Sequence, residues 1–220
     1  MEIMGIVITE EIIKITGIII ALLVAIIGHE IMHGLVAHKF GDNTAKDLGR
    51  LSPNPIVHID PVGSILLPAI LFFAGSSFLF GWAKPVPINM RTVIINRGTN
   101  GAIMVALAGI AYNFSLAIIF AIIYNMLDKP IDAIDFFIHN LVFQLVLLNT
   151  ILGFFNLWPI PPLDGSQALK YFAIGNGWNG TAKWLDKVYP YGMFILIAII
   201  ATPLGNIFFA PIKWLLQILL

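Results

Sequence analysis

Five apolar segments constrain this chain more than any other feature. Residues 12–40, 62–80, 101–127, 136–158 and 191–220 are almost wholly apolar. Each approaches or exceeds the roughly 20 residues a helix needs to cross a bilayer. Hydrocarbon cannot satisfy unpaired backbone groups, so such segments become helices. The composition agrees: 59% hydrophobic, 11% charged, with a mean hydropathy of +0.92. A soluble domain carries about a quarter charged residues. The expected fold is an all-α integral membrane protein, one domain over 1–220, with about four transmembrane helices. The absence of cysteine excludes disulfides and thiolate metal sites. A net charge of zero and the lack of a long basic run exclude nucleic acid as a partner. The N-terminal stretch is acidic rather than basic and no cleavage site follows it, so the first helix is expected to be retained.

Loop charge gives the orientation. Lys39, Lys46 and Arg50 follow the first segment, Lys84, Arg91 and Arg97 lie between the second and third, and Lys170, Lys183 and Lys187 follow the fourth. Asp128, Asp132 and Asp135 outnumber Lys129 between the third and fourth, and the N-terminus carries Glu2, Glu10 and Glu11. Basic loops belong in the cytoplasm, which puts the N-terminus outside. A spanning 62–80 segment would invert this pattern. Pro68 and Gly75 permit a break there, so the segment is expected to re-enter and leave on one side, as protein-buried backbone can. The segment 191–220 contains Pro203, Gly205, Pro211 and Lys213. It reads as a span that breaks and continues as a helix near the interface.

Within the first segment stands H-E-x-x-H: His29, Glu30 and His33. Ionisable groups in a membrane helix are costly and mark function. Positions i and i+4 differ by about 40° around a helix, so both imidazoles share a face and can reach one Zn²⁺. Glu30 lies beside that stripe, where it can accept a proton from water. His38 points away. A catalytic zinc usually has three protein ligands and an open position. His29 and His33 sit about two turns from the cytoplasmic end of their helix, which leaves Asp164, His58 and Asp60 as third ligands. Asp164 follows the fourth segment in N-L-W-P-I-P-P-L-D-G-S, with Pro159, Pro161 and Pro162 stiffening the chain and Gly165 allowing a tight turn. His58 and Asp60 in N-P-I-V-H-I-D-P-V-G share some of these merits. A proton- or ion-coupled carrier using the same His/Glu/Asp cluster is the competing reading.

H-E-x-x-H in a transmembrane helix, followed by N-x-x-P-x-x-P-L-D-G, resembles the site-2 protease family of intramembrane zinc metalloproteases. The stretches NPIVHIDPVGSILLPAI, GWAKPVPIN and NLWPIPPLDGS resemble its short members without PDZ or CBS domains. The likeness runs from about His29 to Gln167. It implies a three-helix catalytic core at about 12–40, 101–127 and 136–158. It implies one Zn²⁺ held by His29, His33 and Asp164, with Glu30 as general base. It implies that Asn156 binds substrate backbone or the developing oxyanion, and that 81–89 forms a short extended strand or hairpin receiving substrate. Substrates would be single-span membrane proteins or signal-peptide-like segments, cut within the bilayer near the cytoplasmic side of the cell membrane. The chain has A-G-I-A-Y-N where the family often has A-G-P-x-x-N, with Ile110 replacing proline. Asn113 is kept, and either lines the site or makes a polar contact between helices beside small residues such as Gly109.

Overall fold

The computed structural model describes residues 2–75 and 81–220, with side-chain surroundings from residue 10 onward. Helix α1 (Glu2–Lys39) is followed by a short turn and α2 (Thr44–Asp47). A 3₁₀ turn (Pro55–His58) and a π-helical stretch (Pro61–Leu66) lead into α3 (Leu67–Phe73). Then come α4 (Met90–Met126), α5 (Ala133–Leu157), α6 (Asp164–Gly175), α7 (Asn179–Val188), α8 (Gly192–Ile200) and α9 (Leu204–Leu219). Glu10–Lys39, Met90–Met126 and Ala133–Leu157 are long and apolar enough to cross a membrane. The C-terminal pair, Asn179–Ile200 and Leu204–Leu219, bends by 81°. The break falls at Thr202 and Pro203, because proline cannot supply a helical amide. Among the described residues there is no strand.

Helices α1, α4 and α5 pack against one another and form the centre. Their facing surfaces are small. Ala21 and Ala25 on α1, and Ala102, Ala106, Ala117 and Ala121 on α4, are buried. Small residues four apart let helix backbones approach closely, which drives association where lipid removes the hydrophobic incentive. Polar Asn113, Asn149 and Thr150 are 0% exposed, while Ile122 on the outer face of α4 is 58% exposed. Polar groups inside and large aliphatic groups outside invert the order of a water-soluble domain. That arrangement suits a hydrocarbon solvent.

Helix α4 breaks at Gly98, whose φ of 65° lies in the left-handed region. Val93 before the break and Val105 beyond it both pack in the buried core. At Ile110, where the family often has proline, α4 continues unbroken.

The chain at Gly63 and Ser64 lies against Trp82. Trp82 N–H donates to Gly63 O at 3.2 Å, and the Ser64 hydroxyl donates to Trp82 O at 2.8 Å. The described helical part, Pro61–Phe73, extends about 20 Å at 1.5 Å per residue, well short of a ~30 Å hydrocarbon core. Residues 76–80 of this segment lie outside the described residues. The 81–89 stretch, expected as a strand or hairpin, runs without a ladder. Pro85 and Pro87 each remove a ladder donor, the Trp82 and Lys84 amides go to the backbone carbonyls of Gly63 and His58, and the Val86 and Asn89 amides go to side-chain carboxylates.

One of those side chains is Asp42, just beyond α1. Its carboxylate accepts the Asn89 amide at 2.6 Å, the Thr44 amide at 3.0 Å and the Thr44 hydroxyl. Burial pushes this carboxyl up, but the Thr44 and Asn89 bonds outweigh it and hold it below its ordinary value. A depressed folded-state pKa contributes stability above the unfolded value, near 3.9, that is lost as pH falls through the folded one. Asp42→Asn is therefore expected to lower the unfolding temperature at pH 7, by a loss on the order of 1–3 kcal/mol. Thermal unfolding in detergent should show the gap from wild type closing below about pH 4. A gap that does not change with pH would remove the charge from the explanation.

Candidate metal centre

His29 and His33 occupy successive turns on the inward face of α1, and both are buried. Asp164 opens α6 and meets them from the opposite side. His29 Nε2 lies 2.9 Å from Asp164 Oδ2, His33 Nε2 lies 3.2 Å from the same oxygen, and the two Nε2 atoms are 3.0 Å apart. The three atoms form a nearly equilateral triangle.

The protonation pattern around this triangle is forced from outside. Asn149 Nδ2 donates to Leu145 O at 2.8 Å, so Asn149 Oδ1 is the acceptor for Asn113 Nδ2 at 2.9 Å. Asn113 Nδ2 also donates to Ala25 O at 3.1 Å, so Asn113 Oδ1 faces His29 Nδ1 at 2.6 Å and must accept from it. His33 Nδ1 must donate to the Val105 carbonyl at 2.7 Å. Both Nδ1 atoms are thus committed as donors, which leaves both Nε2 atoms, facing each other and a carboxylate, as the ring positions that can bind a metal when unprotonated. Two imidazole nitrogens and a carboxylate oxygen converging at about 3 Å form a group that could hold a metal ion. Their chemistry, two imidazoles and one carboxylate, is that of a catalytic zinc site. A tetrahedral ion with bonds of about 2.0–2.1 Å separates its ligand atoms by about 3.3–3.4 Å, so the group needs only a few tenths of an ångström of expansion. Hydrogen-bonded outer partners of this kind orient ligands and raise their basicity.

Local sequence explains how each ligand is placed. Gly109 on α4 forms the floor beneath the rings: a Cβ there would lie 2.5 Å from His33 Nε2 and 2.6 Å from two His29 ring carbons. Asp164 is presented by the proline-rich turn after α5, which contains a cis Pro161–Pro162 bond. Ser166 braces that turn by donating its hydroxyl to Leu163 O at 2.7 Å. Gly165 has a different reason from the tight turn expected of it. It is helical, and a Cβ there would lie 2.1 Å from Leu157 O and 2.7 Å from Trp158 O. The glycine lets α6 begin directly against the end of α5.

The other expected residues fall elsewhere. His58 is buried and donates through Nε2 to Ser52 O at 2.8 Å. Asp60 caps the following helical stretch, accepting from Val62 N at 3.0 Å and Gly63 N at 2.7 Å. Neither joins the triangle; among the described residues the metal-capable group is His29, His33 and Asp164. Asn156 back-bonds to Leu152 O at 3.1 Å, using one of its donors. Glu30 is not part of the triangle; its Oε2 accepts the Val86 amide at 2.8 Å. Asn149, the Val105 carbonyl and the cradle at Gly109 were not foreseen. An asparagine in an apolar helix is the one signal that could have found Asn149.

No protein-family model and no solved structure matches the chain. Curated relatives do. One, named "Putative zinc metalloprotease YwhC", from Bacillus subtilis (strain 168), is 35% identical over 193 residues, spanning 86% of this chain and 82% of its own. Two named "Putative zinc metalloprotease Rip2" are each 29% identical. The one from Mycolicibacterium smegmatis spans 84% of this chain and 67% of its own, and the one from Mycobacterium tuberculosis (strain H37Rv) spans 89% and 71%. These names support a zinc metalloprotease, which the long apolar helices put in a membrane, and lend nothing to the carrier reading. With that identity over most of both chains, the protein belongs to the family of these zinc metalloproteases, the site-2 protease family that its motifs resemble.

Proposed function

We propose that the protein is an intramembrane zinc endopeptidase that cuts single-span membrane proteins or signal-peptide-like segments. The observation that carries the reading is the triangle of His29 Nε2, His33 Nε2 and Asp164 Oδ2, inside a bundle whose outer face is aliphatic. His29, His33 and Asp164 hold one Zn²⁺. Bound there, zinc supplies Lewis acidity toward water and the scissile carbonyl. Glu30 takes a proton from the attacking water and delivers it to the leaving amine as the C–N bond breaks. Asn156 has an unused amide hydrogen to offer substrate backbone or oxyanion.

A substrate helix hides its carbonyls in hydrogen bonds and must unwind before cleavage. The 81–89 strap is suited to hold the unwound form. Trp82, Lys84 and Val86 spend backbone groups on the body of the protein. Those of Ala83 and Pro87 have no such partner among the described residues, which leaves an edge for strand addition. The 62–80 segment is re-entrant in this reading, supported by the contact of Gly63 and Ser64 with Trp82. The basic loops support a strap and site facing the cytoplasm of the cell membrane, with the N-terminus outside.

The test is reconstitution of the purified protein in liposomes with a single-span substrate, mapping fragments by mass spectrometry. Cuts inside the span, abolished by chelator and restored by zinc, are expected. Cuts confined to water-exposed flanks would reject intramembrane action, and ion flux without cleavage would favour a carrier.

A further inference from the structure

Arg50 is only 8% exposed, yet among the described residues it has no carboxylate partner. Its Nη2 donates to Lys84 O at 2.9 Å and to Pro85 O at 3.3 Å, and its buried Nε has no partner. A buried cation held by two neutral carbonyls is costly. What it holds is the strap immediately before Val86, whose amide is bonded to Glu30.

Pro85 and Pro87 flank Val86 and carry no N–H. The Val86 amide is therefore the lone main-chain donor across these three residues. Glu30 takes it from α1, Arg50 fixes the two carbonyls just before it, and Asp42 takes the Asn89 amide beyond it at 2.6 Å. Three charged side chains thus grip one strap in sequence. The turn after α1 that carries Asp42 and Arg50 is shaped by Gly41 and Gly49, at φ 94° and 65°. Gly34 on α1 lets the strap come close: a Cβ there would lie 2.9 Å from Val86 Cγ1.

We propose that Arg50 is a positioning residue for Glu30, acting through the main chain of the strap. By fixing the Lys84 and Pro85 carbonyls it keeps the Val86 N–H aimed at Glu30 Oε2. That bond holds one carboxylate oxygen of a flexible side chain and leaves the other to handle the proton. The proposal rests on the reading of Glu30 as the base.

The test compares Val86→Pro, which deletes the amide hydrogen, with Val86→Ala, which keeps it, alongside Arg50→Gln. On zinc-loaded protein, kcat for Val86→Pro is expected about ten- to a hundred-fold below Val86→Ala. Arg50→Gln is expected to lower kcat about tenfold, with KM within about threefold of wild type and zinc stoichiometry unchanged. Arg50→Gln with Val86→Pro should be no worse than Val86→Pro alone, because both break one link. Hydrogen–deuterium exchange adds a readout independent of catalysis. Arg50→Gln and Glu30→Ala should each speed exchange in the peptide covering 81–89. Equal kcat for the two Val86 variants, multiplying losses, or unchanged exchange would overturn the proposal. If Val86→Pro fails to fold, exchange in the other two variants decides. A wild-type protein that binds zinc but cuts nothing would sink the protease reading alone, and the exchange result would still stand.

Discussion

Glu30→Gln is expected to bring cleavage down by about 10²–10⁴-fold while one zinc remains bound per chain. The two outcomes separate because Glu30 adjoins the metal-capable group without belonging to it. Glutamine keeps the length of the side chain and a carbonyl oxygen for the Val86 amide, which glutamate now receives at 2.8 Å. It cannot take a proton from water at neutral pH. Fold, strap and metal should survive, and only proton transfer is lost. Activity within about tenfold of wild type would place the base elsewhere.

Gly109→Ala is expected to cripple the site without touching a ligand. The added methyl would stand 2.5 Å from His33 Nε2 and 2.6 Å from His29 Cδ2 and Cε1. Neither ring can yield freely, because His29 Nδ1 is tied to Asn113 at 2.6 Å and His33 Nδ1 to Val105 O at 2.7 Å. Either those bonds break or α4 moves away from α1. Both outcomes spread the triangle. Zinc affinity should fall by about 100-fold or more, the upper range for disturbing outer-shell support, with activity lost in parallel. Gly180→Ala, where a methyl meets open space on α7, should leave zinc affinity unchanged. Competition with a chromophoric chelator measures both. Wild-type affinity in Gly109→Ala would mean that the rings have more freedom than their hydrogen bonds allow.

The parts legible in the sequence were those that a membrane makes expensive. His29, Glu30 and His33 stand out because ionisable groups in an apolar helix need a reason, and helical spacing puts the histidines on one face. Asp164 was one of three candidates by spacing, and the family resemblance singled it out. The α1, α4 and α5 core was implied by the family resemblance, which picked three of five apolar segments. What escaped is carried by backbone and by space. The acceptor for His33 is a carbonyl, which every residue at position 105 would offer. Gly109 and Gly165 matter for the side chain they lack, and an isolated glycine in an apolar run does not say which atoms come near it. The grip on the strap was hidden because Arg50 reads as an ordinary loop charge and no motif marks Asp42. Arg50 served the orientation argument, and nothing in its neighbours announced burial.

The central claim is that His29, His33 and Asp164 together hold one metal ion. The most direct measurement is zinc per chain, by elemental analysis of purified wild type, Asp164→Ala and His58→Ala after dialysis against a weak chelator. One zinc per chain is expected in wild type and in His58→Ala, and a large loss in Asp164→Ala. Full zinc in Asp164→Ala, with loss in His58→Ala, would contradict it.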